Sequence, residues 1–230
     1  MIPLLRAPVS RAALRALNPA DRSVPEGEPL SEASGPDPDR VLVVGSGPVT
    51  GAGARRHDDA LPGTIARALA DRTGHGAVVE ARGAQRLRLH DLPALLQGAR
   101  LQRFDAMVLV IGLFDAMDGA GLRAWSRELH RQLDAMQRDG ARGAVVLLTT
   151  VPPVSSVARR RTLAVALADR RVRRVNRVLS RAATDRPATG RVALPAPEAD
   201  APIASAAWYE RCGTAVAEAL APLLAAQRQR

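Results

Sequence analysis

The sequence contains no lysine and few aromatic residues. All 33 basic residues are arginine, and with 23 acidic residues they give a formal net charge of +10. Aromatic residues make up only 2% of the chain. A strongly basic chain suggests a nucleic-acid partner, but modules that read nucleic acid usually add aromatic stacking or a recognition helix. Neither pattern occurs here. We therefore attribute much of the charge to a coding bias towards Ala and Arg, and predict no specific nucleic-acid partner.

Cysteine and long apolar runs are also scarce. The single Cys212 cannot form an internal disulfide, and one cysteine builds neither a zinc cluster nor an iron–sulfur site. No apolar run approaches the ~20 residues that a membrane-spanning helix needs. The apolar stretch within Met1–Arg6 is too short for a secretory signal. Hydrophobic residues still make up 47% of 230 residues, enough for one folded domain. These features predict a cytoplasmic protein without a cofactor.

The first 39 residues differ in composition from the rest. Arg11–Leu17 is compatible with two helical turns, whereas Asn18–Arg40 is rich in Pro, Glu, Ser, Gly and Asp. Such a composition cannot bury enough apolar surface to offset the entropy lost on ordering. We predict a mobile arm and linker over residues 1–39, a domain over 40–226 and a short tail over 227–230.

After Arg40, short apolar runs alternate with helical periodicity. Continuous apolar runs are typical of strands buried on both faces of a parallel sheet; they occur at Val41–Val44, Met107–Ile111 and Ala144–Leu148, with weaker candidates at Val78–Ala81 and Arg191–Leu194. Apolar residues at three- and four-residue spacing predict helices through Ile65–Leu69, Leu122–Met136 and Leu163–Leu179, and after a cap at Ser205. The alternation predicts a flavodoxin-like, three-layer α/β/α sandwich around a short, mostly parallel sheet.

Three segments fall at the sheet edge where open α/β sheets bind ligands. They are the loop Gly45–Gly53, the segment Gly112–Asp115, and Asp200–Ser205 ahead of the last predicted helix. In order and spacing they resemble the motif blocks of the SGNH/GDSL hydrolases, in particular bacterial esterase- and lipase-like members, and the resemblance adds a further block centred on Gly83. The resemblance covers roughly residues 40–224 and implies the SGNH-hydrolase fold.

The resemblance also implies where the family chemistry would lie. In that family a Ser attacks the ester carbonyl and a His takes its proton; an Asp orients the His, and Gly and Asn groups hold the oxyanion. The Ser position is Gly47 and the residue before it, an Asp in the family, is Ser46. The oxyanion Asn position is Phe114 and the His position is Ile203. The orienting Asp is kept as Asp200, and the family glycines are kept as Gly45, Gly83 and Gly112.

Three of these substitutions remove the chemistry. Gly47 has no side chain to attack with, Ile203 cannot accept a proton, and Phe114 cannot donate a hydrogen bond. Losing the nucleophile or base costs on the order of 10⁶ in turnover in a well-studied protease. The sequence therefore predicts a pseudoenzyme: an SGNH-hydrolase-like protein that lacks ester hydrolysis and binds a ligand or partner instead. The predicted binding residues are Gly45, Ser46, Gly83, Gly112 and Phe114.

The alternative is an active esterase or acyl hydrolase with a shifted nucleophile. Ser46 precedes the family position by one residue, and Thr50 is a second hydroxyl in the same loop. His57, beside Asp58 and Asp59, is the best base candidate, although this stretch also suits a solvated loop leading to a helix. The other three histidines are predicted in loops or on a charged helix surface, at His75, His90 and His130.

Two other kinds of site are disfavoured by the sequence. A phosphate-binding P-loop needs a Lys after its second Gly, and the chain has none. No His, Asp and Glu residues show the spacing of metal ligands, so no metal site is predicted.

Arginine is densest around the third predicted helix. A solvated helix face is one explanation, and contact with an anionic surface is the other. The run begins at Arg159–Arg161 and continues with Arg170, Arg171, Arg173, Arg174, Arg177 and Arg181.

Overall fold

A computed structural model describes residues 25–156, 158, 161–196 and 205–229. The described residues form a six-stranded sheet with the order β1-β3-β2-β4-β5-β6, in which β1 is antiparallel to β3 and all other neighbours are parallel. The strands are β1 (Leu30–Ala33), β2 (Asp39–Gly45), β3 (Ala77–Gly83), β4 (Ala106–Val110), β5 (Val145–Thr150) and β6 (Thr189–Ala193).

Helices cover both faces of this sheet. They are α1 (Leu61–Thr73), the single turn α2 (Leu92–Leu95), α3 (Leu113–Asp118), α4 (Leu122–Asp139), α5 (Leu163–Thr184) and α6 (Ala206–Arg228). Side chains of α1 and α6 share one apolar core with the sheet, and side chains of α3, α4 and α5 share the other. The predicted three-layer α/β/α architecture is confirmed, and so are the five predicted strands and the four predicted helices.

Burial on both faces explains why the central strands are apolar at consecutive positions. In β2, Leu42 and Val44 enter the core under α3, α4 and α5, while Val41 and Val43 enter the core under α1 and α6. All four side chains are fully buried. A strand covered on one face alone would alternate apolar and polar residues instead.

The layer formed by α1 and α6 is held by a close approach of the two helices. A Cβ at Gly213 would lie 2.5 Å from the carbonyl carbon of Thr64, so a larger residue there would push the helices apart. At the start of α6, the Ser205 hydroxyl accepts a hydrogen bond from the Trp208 amide at 3.3 Å, as an N-cap does. The Trp208 indole donates to the Pro195 carbonyl at 2.9 Å. Trp125, the other tryptophan of the chain, is buried in the opposite layer.

The prediction of an arm and linker was wrong for the residues that the structure describes. Leu30–Ala33 pairs with β3, and the Ala81 amide donates to the Pro29 carbonyl at 2.7 Å. Pairing with the edge of β3 satisfies the backbone N–H and C=O groups of this segment. The amino-acid composition of the segment does not predict that pairing. Residues 1–24 lie outside the described part of the chain.

The predicted C-terminal tail is also corrected. Helix α6 continues to Arg228, whose guanidinium pairs with the buried carboxylate of Asp39 at the start of β2. This ion pair ties the last turn of α6 to the start of β2. In the described ranges, no helix is both long and apolar enough to cross a membrane.

Candidate functional site

The register of the sheet brings three of the motif segments to one edge. Gly45, the last residue of β2, is paired with Gly83 of β3 and with Val110 of β4. The chain continues from these positions into the loop after β2, the loop after β3 and helix α3. Gly45, Ser46, Gly47, Gly83, Gly112 and Phe114 therefore gather at the carboxyl ends of adjacent parallel strands, as predicted.

Gly45 allows the strands to meet closely. A Cβ at this position would lie 2.7 Å from Cβ of Val110 and closer still to the Val110 carbonyl oxygen. The next residue uses the same carbonyl: the Ser46 amide donates to it at 3.1 Å. Only glycine fits here without moving β2 away from β4.

Ser46 lies at the edge with an uncommitted hydroxyl. The residue is 4% exposed and its backbone is extended, with φ −122° and ψ 176°. Within the described residues its side chain makes no hydrogen bond, to a histidine or to any other group. The arrangement places a hydroxyl at the site, and the described residues supply no base within hydrogen-bond reach of it.

Gly47, which the motif resemblance places at the nucleophile position, lies in a tight turn. Its φ is +65°, and a Cβ built there would meet no atom of the described residues within 4 Å, its two chain neighbours aside. The short helical turn Gly47–Thr50 that follows is closed by the Thr50 hydroxyl, which donates to the Gly47 carbonyl at 2.8 Å. Within the described part of the chain, the space in front of Gly47 is therefore open, and the Thr50 hydroxyl is engaged in the turn.

The loop after β2 is anchored from two sides. At Gly83 a Cβ would lie 3.0 Å from the Thr50 amide nitrogen, so the small residue lets this loop rest on the end of β3. From the opposite side, the Tyr209 hydroxyl donates to the Ala52 carbonyl at 2.9 Å. Burial raises the pKa of this tyrosine well above its ordinary value, so the hydroxyl keeps its proton as a donor.

Phe114 places an apolar ring at the position where the motif resemblance implies a hydrogen-bonding amide. Gly112, with φ +100°, turns the chain from β4 into α3, and Phe114 is the second residue of that helix. The ring is 8% exposed and belongs to neither of the two apolar cores. The Arg86 guanidinium lies 5.4 Å from the ring centroid, a cation–π arrangement.

Arg86 was missed by the sequence analysis. It belongs to the loop after β3, its side chain is 53% exposed, and its ion pair with Asp118 spans 3.9 Å. Arg88 binds the same carboxylate more closely, with Nε 2.7 Å from Oδ2. Two guanidinium groups thus share one carboxylate beside the Phe114 ring, which leaves this rim of the site positively charged. Nothing in the sequence pattern links Arg86 to Phe114.

Asp115 is the second residue that the sequence analysis overlooked. Its carboxylate is buried, and both oxygens lie 3.2 Å from the Leu89 amide, which ties the loop after β3 to α3. Burial raises the pKa of this aspartate, and the Leu89 amide and the nearby Trp125 indole partly oppose that rise. The signal was available, since Asp115 is the last residue of the Gly112–Asp115 segment.

The histidines do not rebuild a catalytic pair within the described residues. His57 is 8% exposed, so the predicted solvated loop is in fact buried there; its Nδ1 has no hydrogen bond, and burial lowers its pKa. His90 pairs with the neighbouring Asp91 at 3.2 Å, and His130 faces the guanidinium of Arg186. His75 has a buried Nδ1 without a hydrogen bond.

Two predicted site residues, Asp200 and Ile203, lie outside the described residues. The described ranges also contain no group of three His, Cys, Asp or Glu residues placed to hold a metal ion.

Solved structures with the same arrangement identify the fold. TesA superposes with a TM-score of 0.58 at 20% identity, covering 80% of this chain and 99% of that protein. A protein assigned to the G-D-S-L lipolytic family from Desulfitobacterium hafniense DCB-2 gives 0.58 at 12% identity, with 78% and 98% covered. A carbohydrate acetylesterase family member from Sinorhizobium meliloti gives 0.53 at 16% identity, with 84% and 100% covered.

These likenesses define the class of the molecule as an SGNH/GDSL-hydrolase fold, which confirms the fold that the motif resemblance implied. At this level of identity the fold is what is shared. No family model and no curated relative matches the sequence.

Proposed function

We propose that this protein binds a small ligand or a partner at the carboxyl edge of its sheet and does not catalyse the ester hydrolysis of the SGNH/GDSL hydrolases. The observation that carries the proposal is Gly47, which offers open space and no side chain at the nucleophile position. Binding needs shape and a few polar groups, whereas acyl transfer needs a nucleophile within hydrogen-bond reach of a base. We place this function in the cytoplasm.

The composition of the edge suits a ligand with both apolar and polar parts. Phe114 presents an apolar ring, Ser46 a free hydroxyl and Arg86 a guanidinium with exposed donors. A ligand group directly in front of Gly47 meets no described residue within 4 Å of the Cβ position other than the chain neighbours of Gly47. This combination resembles ordinary small-molecule sites, which pair apolar walls with a few oriented polar groups.

The test uses p-nitrophenyl butyrate as a probe with the full-length protein. We expect no release of nitrophenolate above the buffer rate, together with a rise in the thermal unfolding midpoint as the ester binds the folded state. Gly47→Asn is the blocking variant, because asparagine tolerates a positive φ better than most residues and its side chain would fill the open space. The midpoint shift should disappear in this variant. Turnover that Ser46→Ala abolishes would overturn the proposal.

An active hydrolase using Ser46 is the competing proposal, favoured by the uncommitted hydroxyl of that residue. A fluorophosphonate probe distinguishes the two functions, since it labels an activated serine. Under our proposal the protein stays unlabelled, and Ser46→Ala behaves as the parent protein does. Labelling at Ser46, located by peptide mass spectrometry, would establish the competing function.

A further inference from the structure

One face of helix α5 carries arginines whose side chains form no ion pair with any described residue. Starting from Leu163, positions 170, 174, 177 and 181 fall within about 40° of a single line along the helix. We call this set the arginine stripe; it consists of Leu163, Arg170, Arg174, Arg177 and Arg181, all of them exposed. The opposite face of α5 is buried in the core through Val172, Val175 and Leu179. The stripe is therefore an outward surface on a firmly packed helix.

The stripe arginines are not among the described arginines that bind carboxylates. Such ion pairs occur at Arg56, Arg67, Arg72, Arg82, Arg86, Arg88, Arg131, Arg138, Arg186 and Arg228. Among the described residues, no stripe arginine has an ion pair or a hydrogen bond from its side chain. The helix's own carboxylate, Asp169, accepts a bond from the Ser155 amide at 3.2 Å instead.

Arg171 does not belong to this surface, which corrects the sequence-based grouping. It is half-buried, it donates to the Met117 carbonyl at 3.0 Å, and it lies against Gly119 at the end of α3. Arg173 is exposed beside the stripe. The stripe arginines that form no ion pair with the described residues are therefore those that the helix turns outward.

Unpaired like charges in a row repel one another and gain most from an external layer of negative charge. Between Leu163 and Arg181 the stripe is roughly 27 Å long, and a straight row on a helix touches a flat surface along its whole length. Its N-terminal end is Leu163, which is 78% exposed. A lipid bilayer accommodates such an apolar group, whereas a phosphodiester chain offers it no contact. Helix α5 carries no aromatic residue on which bases would stack.

We propose that the arginine stripe docks this protein on a bilayer that exposes anionic phosphate headgroups. The arginines contact the headgroups and Leu163 enters the interface beneath them, so the helix lies flat on the surface with its apolar face still in the protein core. Arg171 of α5 donates a hydrogen bond to the Met117 carbonyl of α3. The docked helix is therefore in direct contact with the helix that carries Phe114.

Flotation of the full-length protein with vesicles tests the proposal. We expect binding to vesicles of phosphatidylcholine mixed equally with phosphatidylglycerol, none to phosphatidylcholine alone, and loss of binding at high salt. Each arginine near an anionic surface contributes roughly fivefold to binding. The triple variant Arg170→Gln, Arg174→Gln, Arg177→Gln should therefore bind about 100-fold more weakly. Leu163→Ala should have a smaller effect that persists at high salt.

The matched control removes the same charge from exposed arginines elsewhere, through Arg55→Gln, Arg100→Gln and Arg142→Gln. It should retain most of the vesicle binding, and both triple variants should keep the parent's circular dichroism and thermal midpoint. The proposal is overturned if the parent does not bind anionic vesicles, if both triple variants weaken binding equally, or if the parent binds a mixed-sequence DNA oligonucleotide but not vesicles.

Discussion

At the carboxyl edge of the sheet, the glycines Gly45 and Gly112 differ from the residues two positions after them in how tightly they are packed. Gly45 ends β2 and Gly112 turns the chain from β4 into α3, and both are tightly packed: a Cβ at Gly45 would meet the Val110 carbonyl, and one at Gly112 would meet the side chains of Val175 and Val151. Two residues further on, Gly47 and Phe114 stand where the motif resemblance implies side-chain chemistry, and one has no side chain while the other is an apolar ring. The comparison teaches that packing constrains the glycines of this edge more tightly than the positions that follow them.

The largest effect is expected from substituting Gly45, which is more tightly packed than Gly47. Gly45→Ala would force a methyl group onto the Val110 carbonyl and should cost about 3 kcal/mol or more of unfolding free energy, at the upper end of overpacking penalties. Gly47→Ala meets no neighbour, so its cost is limited to the positive φ, about 1 kcal/mol. Chemical denaturation of both variants measures the difference. Equal costs would show that the strand end is no more constrained than the turn.

A smaller effect, dependent on pH, is expected at Asp115. Burial raises its pKa above the ordinary 3.8, so the folded state holds the proton more tightly than the unfolded state does. The stability that this preference confers is present below pH 3.8 and is lost as the pH rises through the folded-state pKa. Asp115→Asn removes the titration and keeps an oxygen for the Leu89 amide. Its stability relative to the parent should therefore increase as the pH rises above 3.8.

Asp134 provides a control of opposite sign for that experiment. A hydrogen bond from Arg186 holds the pKa of this exposed carboxylate below 3.8. Its contribution to stability is present at neutral pH and is lost as the pH falls through the folded-state pKa. Asp134→Asn should therefore lose stability relative to the parent at neutral pH and approach it in acid. The same pH trend in both variants would contradict the assignment of burial as the cause at Asp115.

The smallest effect is expected at Ser46. Its hydroxyl makes no hydrogen bond within the described residues, so Ser46→Ala should change the unfolding free energy by less than about 0.5 kcal/mol. Denaturation next to the Gly47→Ala variant measures this on the same scale. A loss above about 1 kcal/mol is the size expected when a buried hydrogen bond is removed, and it would show that the hydroxyl has a partner.

Most of the fold follows from local patterns in the sequence. The runs Val41–Val44 and Met107–Ile111 are apolar at every position because both faces of the sheet are covered, and this signal needs no knowledge of the partners. Strand β1 was not predicted because Leu30–Ala33 has no such apolar run. It exists by pairing with β3, a long-range contact that composition does not encode.

The site was predictable only in outline. The predicted strands ending before Gly45 and Gly112 placed the edge correctly, and the motif resemblance added Gly83, which pairs with Gly45. The hydrogen bond of Asp115 with the Leu89 amide and the stacking of Arg86 on Phe114 depend on how the loop after β3 packs against α3. Burial of His57 likewise depends on tertiary packing, and its neighbours Asp58 and Asp59 suggested the opposite.

The distribution of the two tryptophans has a spectroscopic consequence. Trp125 reports on the layer of α3, α4 and α5, close to the turn at Gly112, and Trp208 reports on the layer of α1 and α6. With a single tyrosine besides, the protein is almost free of background emission. A variant that keeps only one of the two tryptophans therefore has a fluorophore on one side of the sheet. With two such variants, the unfolding of the two helical layers can be followed separately.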